Sequence, residues 1–344
     1  MIIDCHGHYT TAPKALKAWR DAQVANLNTP ELGPKVADLK ISDDEIRESI
    51  ELNQLARMKE RGIDVTIFSP QASFMTHHIG DFNTSATWAA ICNELCYRVT
   101  QLFPQHFVGA AMLPQSPGVD LSTCLPEMRK CIEEYGFVGI NLNPDPSGGY
   151  WKDPPLSHPY WHPIYQEMIT LDVPAMIHVS TSCNDCFHTT GAHYLNADTT
   201  AFMQCLTSDL FEQFPQLRFL IPHGGGAVPY HWGRFRGLAK DMDIPDINHK
   251  LLGNIYFDTC IYHQPGINLL TEVIPVKNIL FASETFGAVK DIDPDTGFYF
   301  DDTRRYLNAV TALDKKEKEM IFEGNARKVF PRLNSRIPKS GAVS

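Results

Sequence analysis

Short apolar runs alternate with amphipathic stretches eight times along the 344 residues of this chain. The runs are apolar throughout, as expected of strands that are buried on both faces. The predicted strands are residues 2–5, 64–69, 107–113, 137–142, 175–179, 218–222, 255–259 and 279–283, with helical patterns at 43–61, 88–103, 121–135, 161–171 and 202–214. Strand followed by helix, eight times over, predicts an α/β chain folded as a distorted (β/α)8 TIM barrel. An open doubly wound sheet is the alternative, but no G-x-G-x-x-G follows the first strand.

The predicted barrel forms a single domain over residues 1–333. Two long connections, residues 9–42 after strand one and 143–163 after strand four, lie on the carboxyl face of the barrel, where active sites form. Loops of this length are usually lids or dimer contacts. The tail 334–344 contains Pro, Gly, Ser and Lys and is expected to be disordered.

Composition excludes several classes of protein. The net charge of -10 comes without a cluster of Lys or Arg, which argues against nucleic acid as a partner. No apolar run reaches the ~18 residues that a membrane span needs, and no secretory signal precedes the first strand. The nine cysteines are scattered, which predicts reduced thiols in a cytoplasmic protein, and we interpret Cys183 and Cys186 as loop thiols rather than as a metal or redox pair.

Histidines and one carboxylate stand at the predicted strand ends. His6 and His8 follow the first strand, and residues i and i+2 of a strand point to the same side, so both can bind one metal ion. His178, His223 and Glu284 come at or near the ends of strands five, six and eight. Any one of these histidines alone would more often be a core residue, but the carboxyl ends of barrel strands converge. Together they predict a His-rich divalent metal site, with Zn²⁺ favoured and Mn²⁺ or Fe²⁺ open.

Three glycines, residues 224–226, come directly after His223. They lack the Lys and Ser/Thr of a phosphate-binding P-loop, so we expect them to let the backbone pass close to metal and substrate. Arg234 opens the next helix, and its planar, charged guanidinium makes it a candidate carboxylate clamp. A solvated helix position is the alternative for Arg234.

Five segments resemble the amidohydrolase superfamily, in the branch that includes aminocarboxymuconate-semialdehyde decarboxylase and γ-resorcylate decarboxylase. They span the chain: DCHGH at 4–8, PYWHPIY at 159–165, PAMIH at 174–178, HGGG at 223–226 with Pro229 and Arg234 behind it, and GNAR at 324–327. The resemblance implies a distorted (β/α)8 barrel with one divalent metal bound by His6, His8 and His178. It also implies an acid/base role beside the metal for His223.

One position departs from the usual pattern of that family. Strand eight of most members ends in Ser-Asp, whereas this chain has Ser283-Glu284, followed by Thr285-Phe286-Gly287. The variation is similar to that of the hydratases of this superfamily that act on an unsaturated oxo-tricarboxylate, in the protocatechuate 4,5-cleavage route of lignin-derived aromatic breakdown. The resemblance therefore implies a divalent-metal-dependent hydro-lyase.

Such a hydration needs a base and an acid. We assign Glu284 as the general base, with fourth metal ligand as the alternative, and His223 as the acid that protonates carbon. The candidates for binding the substrate carboxylates are Arg234, Tyr194, Asn184 and Thr285.

Other functions stay open at this point, because a fold alone does not fix a reaction. The same barrel and metal support non-oxidative decarboxylation of an aromatic or muconate-type acid, and hydrolysis. A catalytically silent barrel that binds a metabolite as a sensor is a third class. The expected partners are a small tricarboxylate and further copies of the chain, in a dimer or larger homo-oligomer.

Overall fold

The computed structural model describes residues 1–244 and 246–337, and in them eight parallel strands pair in chain order. The strands are β1 Ile3–His8, β2 Val65–Ser69, β3 Phe107–Met112, β4 Gly139–Leu142, β5 Ala175–Ile177, β6 Phe219–Ile221, β7 Ile255–Asp258 and β8 Ile279–Leu280. The amide of Cys5 donates to the Phe281 carbonyl (2.9 Å) and the amide of Glu284 to the His6 carbonyl (2.9 Å), which joins the last strand to the first. The predicted (β/α)8 barrel is therefore confirmed, and the open sheet is excluded.

Helices cover the outside of the barrel. They are α1 Lys14–Ala25, α2 Asp43–Leu52, α3 Gln54–Arg61, α4 Ala72–Met75, α5 Phe82–Leu102, α6 Leu125–Arg129, α7 His162–Leu171, α8 Tyr194–Leu206, α9 Leu210–Gln213, α10 Trp232–Asp241, α11 Ile247–Leu251, α12 Gln264–Val273, α13 Thr303–Ala309, α14 Lys315–Glu319 and α15 Asn325–Val329. The single helix predicted over 43–61 is two helices, because the backbone at Asn53 (φ -122°, ψ -92°) is not helical. The helix predicted over 202–214 begins earlier, at Tyr194, and a break after Leu206 separates it from α9. None of the described helices is long and apolar enough to cross a membrane.

The amino-terminal half of the barrel interior is apolar, and we call it the lower interior. Its residues on the strands are Ile3, Cys5, Val65, Ile67, Val108, Ala110, Met176, Leu220, Tyr256 and Leu280, and Val138 joins them directly before β4. Residues 325–337, the C-terminal plug, close it from below with Phe330, Leu333 and Ile337. The ordered domain thus continues past 333, since Pro331–Ser335 is a 3₁₀ helix and Ile337 is buried. Of the tail expected to be disordered, residues 338–344 lie outside the described residues.

β1 carries one extra residue, which places both histidines inside the barrel. It pairs with β2 as Asp4 opposite Thr66 and then Gly7 opposite Phe68, so three steps along β1 match two along β2. Such a bulge reverses which residues face inward. Cys5 therefore lies in the lower interior, while His6 and His8 face the site above it. Gly7 fits because any side chain there would collide with the side chain of Thr66.

Candidate metal centre and active site

Three imidazoles meet at the carboxyl end of the barrel interior. His6 and His8 lie on β1, and His178 directly follows β5; all three are buried. The Nε2 atom of His8 lies 3.0 Å from Nε2 of His6 and 3.3 Å from Nε2 of His178. Ligand nitrogens about 2.0–2.1 Å from one tetrahedral ion would have nearly this spacing. The structure thus brings the three predicted ligands together.

The other ring nitrogen of each histidine is held by a neighbour. The Nδ1 atoms contact Asp258 Oδ2 from His6 (2.8 Å), Ser69 Oγ from His8 (2.8 Å) and the Val179 carbonyl from His178 (2.8 Å). Nδ1–H groups that donate in this way leave the Nε2 lone pairs free to face one another. Burial, together with the neighbouring imidazoles, holds the pKa values of His8 and His178 well below the usual range, so these rings are neutral. Neutral, buried lone pairs that converge on one point fit a divalent cation.

Glu284 lies beside the imidazoles, just beyond β8. One carboxylate oxygen of Glu284 and one ring nitrogen of each imidazole form a group of four atoms. All four atoms, from Glu284, His6, His8 and His178, lie within 4.8 Å of one another. Oε2 accepts a hydrogen bond from the hydroxyl of Tyr262 (2.9 Å). This bond orients the carboxylate, which is compatible with a base standing off the metal and with a fourth ligand.

The backbone after Glu284 turns sharply. Glu284 (φ 50°) and Phe286 (φ 62°) both adopt left-handed backbone conformations, and the Gly287 amide donates to the Glu284 carbonyl (2.7 Å). The glutamate side chain folds back over Gly287, where a Cβ would stand 2.5 Å from its Cδ and Oε1. Gly287 is therefore the residue that leaves room for the carboxylate.

His223 faces the same carboxylate from the loop after β6. Its Nδ1 donates to Asp198 Oδ2 (2.9 Å), and its Nε2 lies 3.9 Å from Glu284 Oε2 with no hydrogen-bond partner among the described residues. Burial alone would lower the pKa of His223, but the carboxylates of Asp198, Glu284 and Asp258 outweigh burial and raise it to about 9. These carboxylates thus favour the protonated form of the ring, which would present its Nε2 proton toward Glu284.

Three residues of the site are not among those predicted from the sequence: Asp258, Asp198 and Tyr262. Asp258 ends β7 and also accepts from the amides of Gly224 (2.9 Å) and Cys260 (3.0 Å), so it ties the glycine run to the ligand His6. The rule used for the other strand ends would have found Asp258, since it is the polar residue at the end of a predicted strand. Asp198 lies within α8 and Tyr262 in a loop, and no local pattern marks either of them.

A cavity of about 260 Å³ opens beside the imidazoles and Glu284. Tyr194 lines it, and this residue is 4% exposed. The Tyr194 ring lies 5.3 Å from that of His178 and 5.6 Å from that of His223. Lys290, a residue that the sequence analysis did not consider, also lines the cavity. Of the four predicted carboxylate-binding residues, Tyr194 is thus placed at the site.

The other three candidates lie away from the described lining of this cavity. The Asn184 amide donates to the Gly149 carbonyl (2.9 Å) in the loop after β5. Thr285 accepts from Arg61 (2.9 Å), which is ion-paired with Asp301. Arg234 is exposed on the first turn of α10. Substrate binding by these three residues stays a prediction.

Two further motifs are accounted for in the described structure. All three glycines of 224–226 have positive φ, and the Gly224 amide reaches Asp258, so the backbone does pass close to the imidazoles. Cys183 and Cys186 are exposed free thiols in the loop after β5.

Comparison with known proteins gives consistent results. The model of the Amidohydrolase family matches residues 3–332. The chain is 58% identical over 341 residues, 99% of each chain, to the 2-keto-4-carboxy-3-hexenedioate hydratase of Sphingobium sp.. It is 64% identical to the crystal structure of 4-oxalomesaconate hydratase from Rhodopseudomonas palustris, with a TM-score of 0.91 and 97% of each chain covered. A γ-resorcylate decarboxylase from Polaromonas sp. is 27% identical, over 79% of this chain and 85% of its own length.

Proposed function

The chain belongs to the amidohydrolase family, and we propose that it is the divalent-metal-dependent hydratase that converts 4-oxalomesaconate to 4-carboxy-4-hydroxy-2-oxoadipate in aromatic breakdown. Full-length identity of 58% and 64% to two hydratases supports this reaction over the decarboxylation named for the relative at 27%. In the structure, the observation that carries the proposal is the Glu284 carboxylate 3.9 Å from Nε2 of His223, beside three convergent imidazoles.

The reaction adds the hydroxyl group of water to one carbon of a double bond and a proton to the neighbouring carbon. One group must therefore accept a proton from water while another donates one to carbon. A pair of groups with opposite protonation states at neutral pH meets both needs. Glu284 and His223 are placed to divide these tasks, because the neighbouring carboxylates raise the pKa of His223 and so favour a protonated ring.

His6, His8 and His178 would hold one divalent cation, for which Zn²⁺ is our choice because neutral imidazoles at this spacing suit it. When bound, such a cation acidifies water and polarises substrate oxygens. The site chemistry leaves Mn²⁺ as the alternative to test.

Glu284 takes the proton from water as general base. The Tyr262 hydroxyl donates to Oε2 and fixes the direction of the carboxylate, and Gly287 leaves the space for it. We choose the base over the role of fourth metal ligand because Glu284 is one methylene longer than the aspartate usual at this position, which gives its carboxylate room to stand off the metal.

His223 gives its Nε2 proton to carbon as general acid. Asp198 accepts the Nδ1 proton and so presents the ring with Nε2 toward Glu284. After transfer, the proton that Glu284 took from water restores the imidazolium over this short distance. Tyr194 lines the cavity beside both groups and is the candidate of this set for binding the substrate carboxylates there.

We propose a cytoplasmic enzyme, because all nine cysteines are free thiols, as a reducing compartment keeps them.

We also propose a homo-oligomer, a dimer or larger. In support, Tyr150 and Tyr230, which are 52% and 76% exposed, stand on loops at the catalytic face. Sedimentation of the purified protein tests the assembly.

The test of function is an ultraviolet assay with 4-oxalomesaconate and metal-quantified protein, with mass spectrometry of the product. Loss of the conjugated chromophore with gain of one water is the expected result. Removal of the metal should abolish this hydration, and added Zn²⁺ should restore it. Release of carbon dioxide instead would identify a decarboxylase, and no reaction in metal-replete protein would reject this substrate.

A further inference from the structure

We infer that Lys290 binds a carboxylate of the substrate at the mouth of the cavity and sets the preference of the site for a tricarboxylate. The inference rests on the proposed function, because the substrate of that reaction carries three carboxylates. It assigns a binding residue that neither the metal site nor the acid/base pair provides.

Charge is the first argument. The described lining of the cavity contains one carboxylate, Glu284, and one ammonium group, Lys290. The chain as a whole has a net charge of -10. A tricarboxylate that enters this cavity approaches an acidic protein and an anionic base, and the divalent cation that the three imidazoles would hold can balance at most two of its charges. A cation in the cavity wall offsets this repulsion at the point of entry.

The second argument is that the ammonium group is free. Lys290 is exposed and makes no ion pair or hydrogen bond with a described residue. In the adjoining cavity, which shares Thr10 and Gln71 with this one, Lys17 is already paired with Asp21 (2.5 Å). A lysine without a carboxylate partner at a cavity mouth is available to an anionic ligand.

The third argument is that the backbone of Lys290 is held from both sides. Before it, the Gly287 amide closes a turn onto Glu284. After it, residues 291–300 form a short antiparallel pair, with the Phe300 amide donating to the Asp291 carbonyl (3.2 Å) and the Asp293 amide to the Phe298 carbonyl (2.8 Å). The Arg57 guanidinium packs over the ring of Tyr299 (3.8 Å) in that pair. Because the segment is fixed in this way, less conformational entropy is lost when Lys290 binds an anion.

The test compares Lys290→Met, Lys290→Arg and Lys277→Met. Met keeps the length of the side chain without its charge, and Arg keeps a charge. Lys277 is an exposed lysine in the turn before β8, at the opposite end of the barrel, and serves as the matched control. KM and kcat for 4-oxalomesaconate are measured at low and high salt. The Kd of tricarballylate, a saturated tricarboxylate, is measured by calorimetry on the same metal-loaded proteins.

For Lys290→Met we expect a rise of about tenfold in KM and in the tricarballylate Kd, with kcat within about threefold of wild type. Lys290→Arg should restore most of the affinity, and Lys277→Met should match wild type. The salt dependence of KM should be weaker in Lys290→Met than in wild type, because the charge at position 290 is gone. Unchanged KM and Kd in Lys290→Met overturn the inference and leave the hydratase standing. A rise in KM with Lys14→Met, which alters the adjoining cavity, but not with Lys290→Met also overturns it. If tricarballylate binding depends on Lys290 but 4-oxalomesaconate is not hydrated, the proposed hydratase reaction is rejected, and Lys290 remains a binding residue for tricarboxylates.

Discussion

At the amino ends of the strands, the barrel interior consists of side chains such as Val65 and Leu280 that pack on the C-terminal plug, whereas at the carboxyl ends the same strands present His6, His8 and Asp258. Both regions are buried, and both are built from the inward faces of the same sheet. They differ in what burial requires. An apolar side chain gains about 1.5–3 kcal/mol wherever it leaves water, with no demand on direction. A buried polar group must find a partner at the right angle, or it costs free energy.

The two ends of the barrel should therefore respond to mutation in separate ways. Changes at the carboxyl end should alter metal content, rate or pH dependence with little change in the free energy of unfolding of the metal-free protein. Changes in the lower interior should do the reverse.

Replacing His178 with Ala should lower turnover by about 10³-fold or more, because two imidazoles cannot hold the cation in a defined geometry. Metal content should fall well below one per chain, as measured by mass spectrometry of the metal. The added thermal stability that Zn²⁺ gives the wild type should disappear as well. His249→Ala, at an exposed position of α11, is the control and should keep metal and rate. A variant with full metal content would remove His178 from the ligand set.

Replacing Glu284 with Gln should lower kcat by about 10²–10⁴-fold, since the amide cannot accept a proton from water. Metal content should stay near that of the wild type, because the three imidazoles are unchanged. Metal analysis beside the ultraviolet assay checks both. If metal is lost together with activity, Glu284 is the fourth ligand and the base must be sought elsewhere.

Replacing Gly287 with Ala should lower kcat by about 10–100-fold, because the new methyl group would displace the Glu284 carboxylate on the scale of an ångström. Metal content and circular dichroism should not change. Gly237→Ala is the matched control, since nothing lies within 4 Å of a Cβ there. It should keep full activity and add about 0.5–1 kcal/mol of stability, as Ala does in a helix. Equal rates in the two variants would show that Gly287 is not needed for the position of Glu284.

Replacing Asp198 with Asn should move the alkaline limb of the kcat/KM profile to lower pH by about one unit or more. The Asp198 carboxylate is among the groups that raise the pKa of His223, so without it the imidazolium loses its proton at a lower pH. A cation bound by the three imidazoles lowers this pKa in both proteins, and the difference between them therefore remains. The measurement is the pH profile, and His223→Asn is the companion variant, which should abolish turnover while substrate binding is preserved. An unshifted limb would mean that another group is the acid.

Replacing Phe330 with Ala should leave kcat and metal content unchanged and lower the free energy of unfolding by about 3–5 kcal/mol. Phe330 is 3% exposed in the plug beneath the strands, so its loss opens a cavity far from the imidazoles. Urea unfolding measures the free energy of unfolding, and kcat and metal content are measured separately on the folded protein. A loss of metal that matched the loss of stability would show that the two ends of the barrel are coupled.

The sequence predicted the parts of this molecule that depend on strand position alone. His6, His8 and His178 were found because the carboxyl ends of parallel strands converge, whatever the loops do. Asp258 obeys the same rule and could have been predicted with it. The eight strands follow from their apolar runs, and their observed ends differ from the predicted ones by at most three residues.

What the sequence could not predict depends on how distant segments approach one another. Asp198 is 25 residues from its partner His223 and lies inside a helix, where an acidic residue is usually a solvated one. Thr285 follows Glu284 directly, yet it contacts Arg61, which lies 224 residues away along the chain. The bulge in β1 was invisible as well, because only pairing with β2 shows the extra residue. In each case the missing information is tertiary contact, which local pattern does not contain.

The C-terminal plug has a consequence for how the chain is made. Residues 325–337 follow all eight strands, so during synthesis the wall of the barrel leaves the ribosome before the segment that seals its floor. Until then, Val65, Leu280 and their neighbours face an open, wet end of the barrel. The final state is therefore reached only after translation has passed the plug, and a nascent chain that stalls earlier exposes an apolar opening of the kind that chaperones bind.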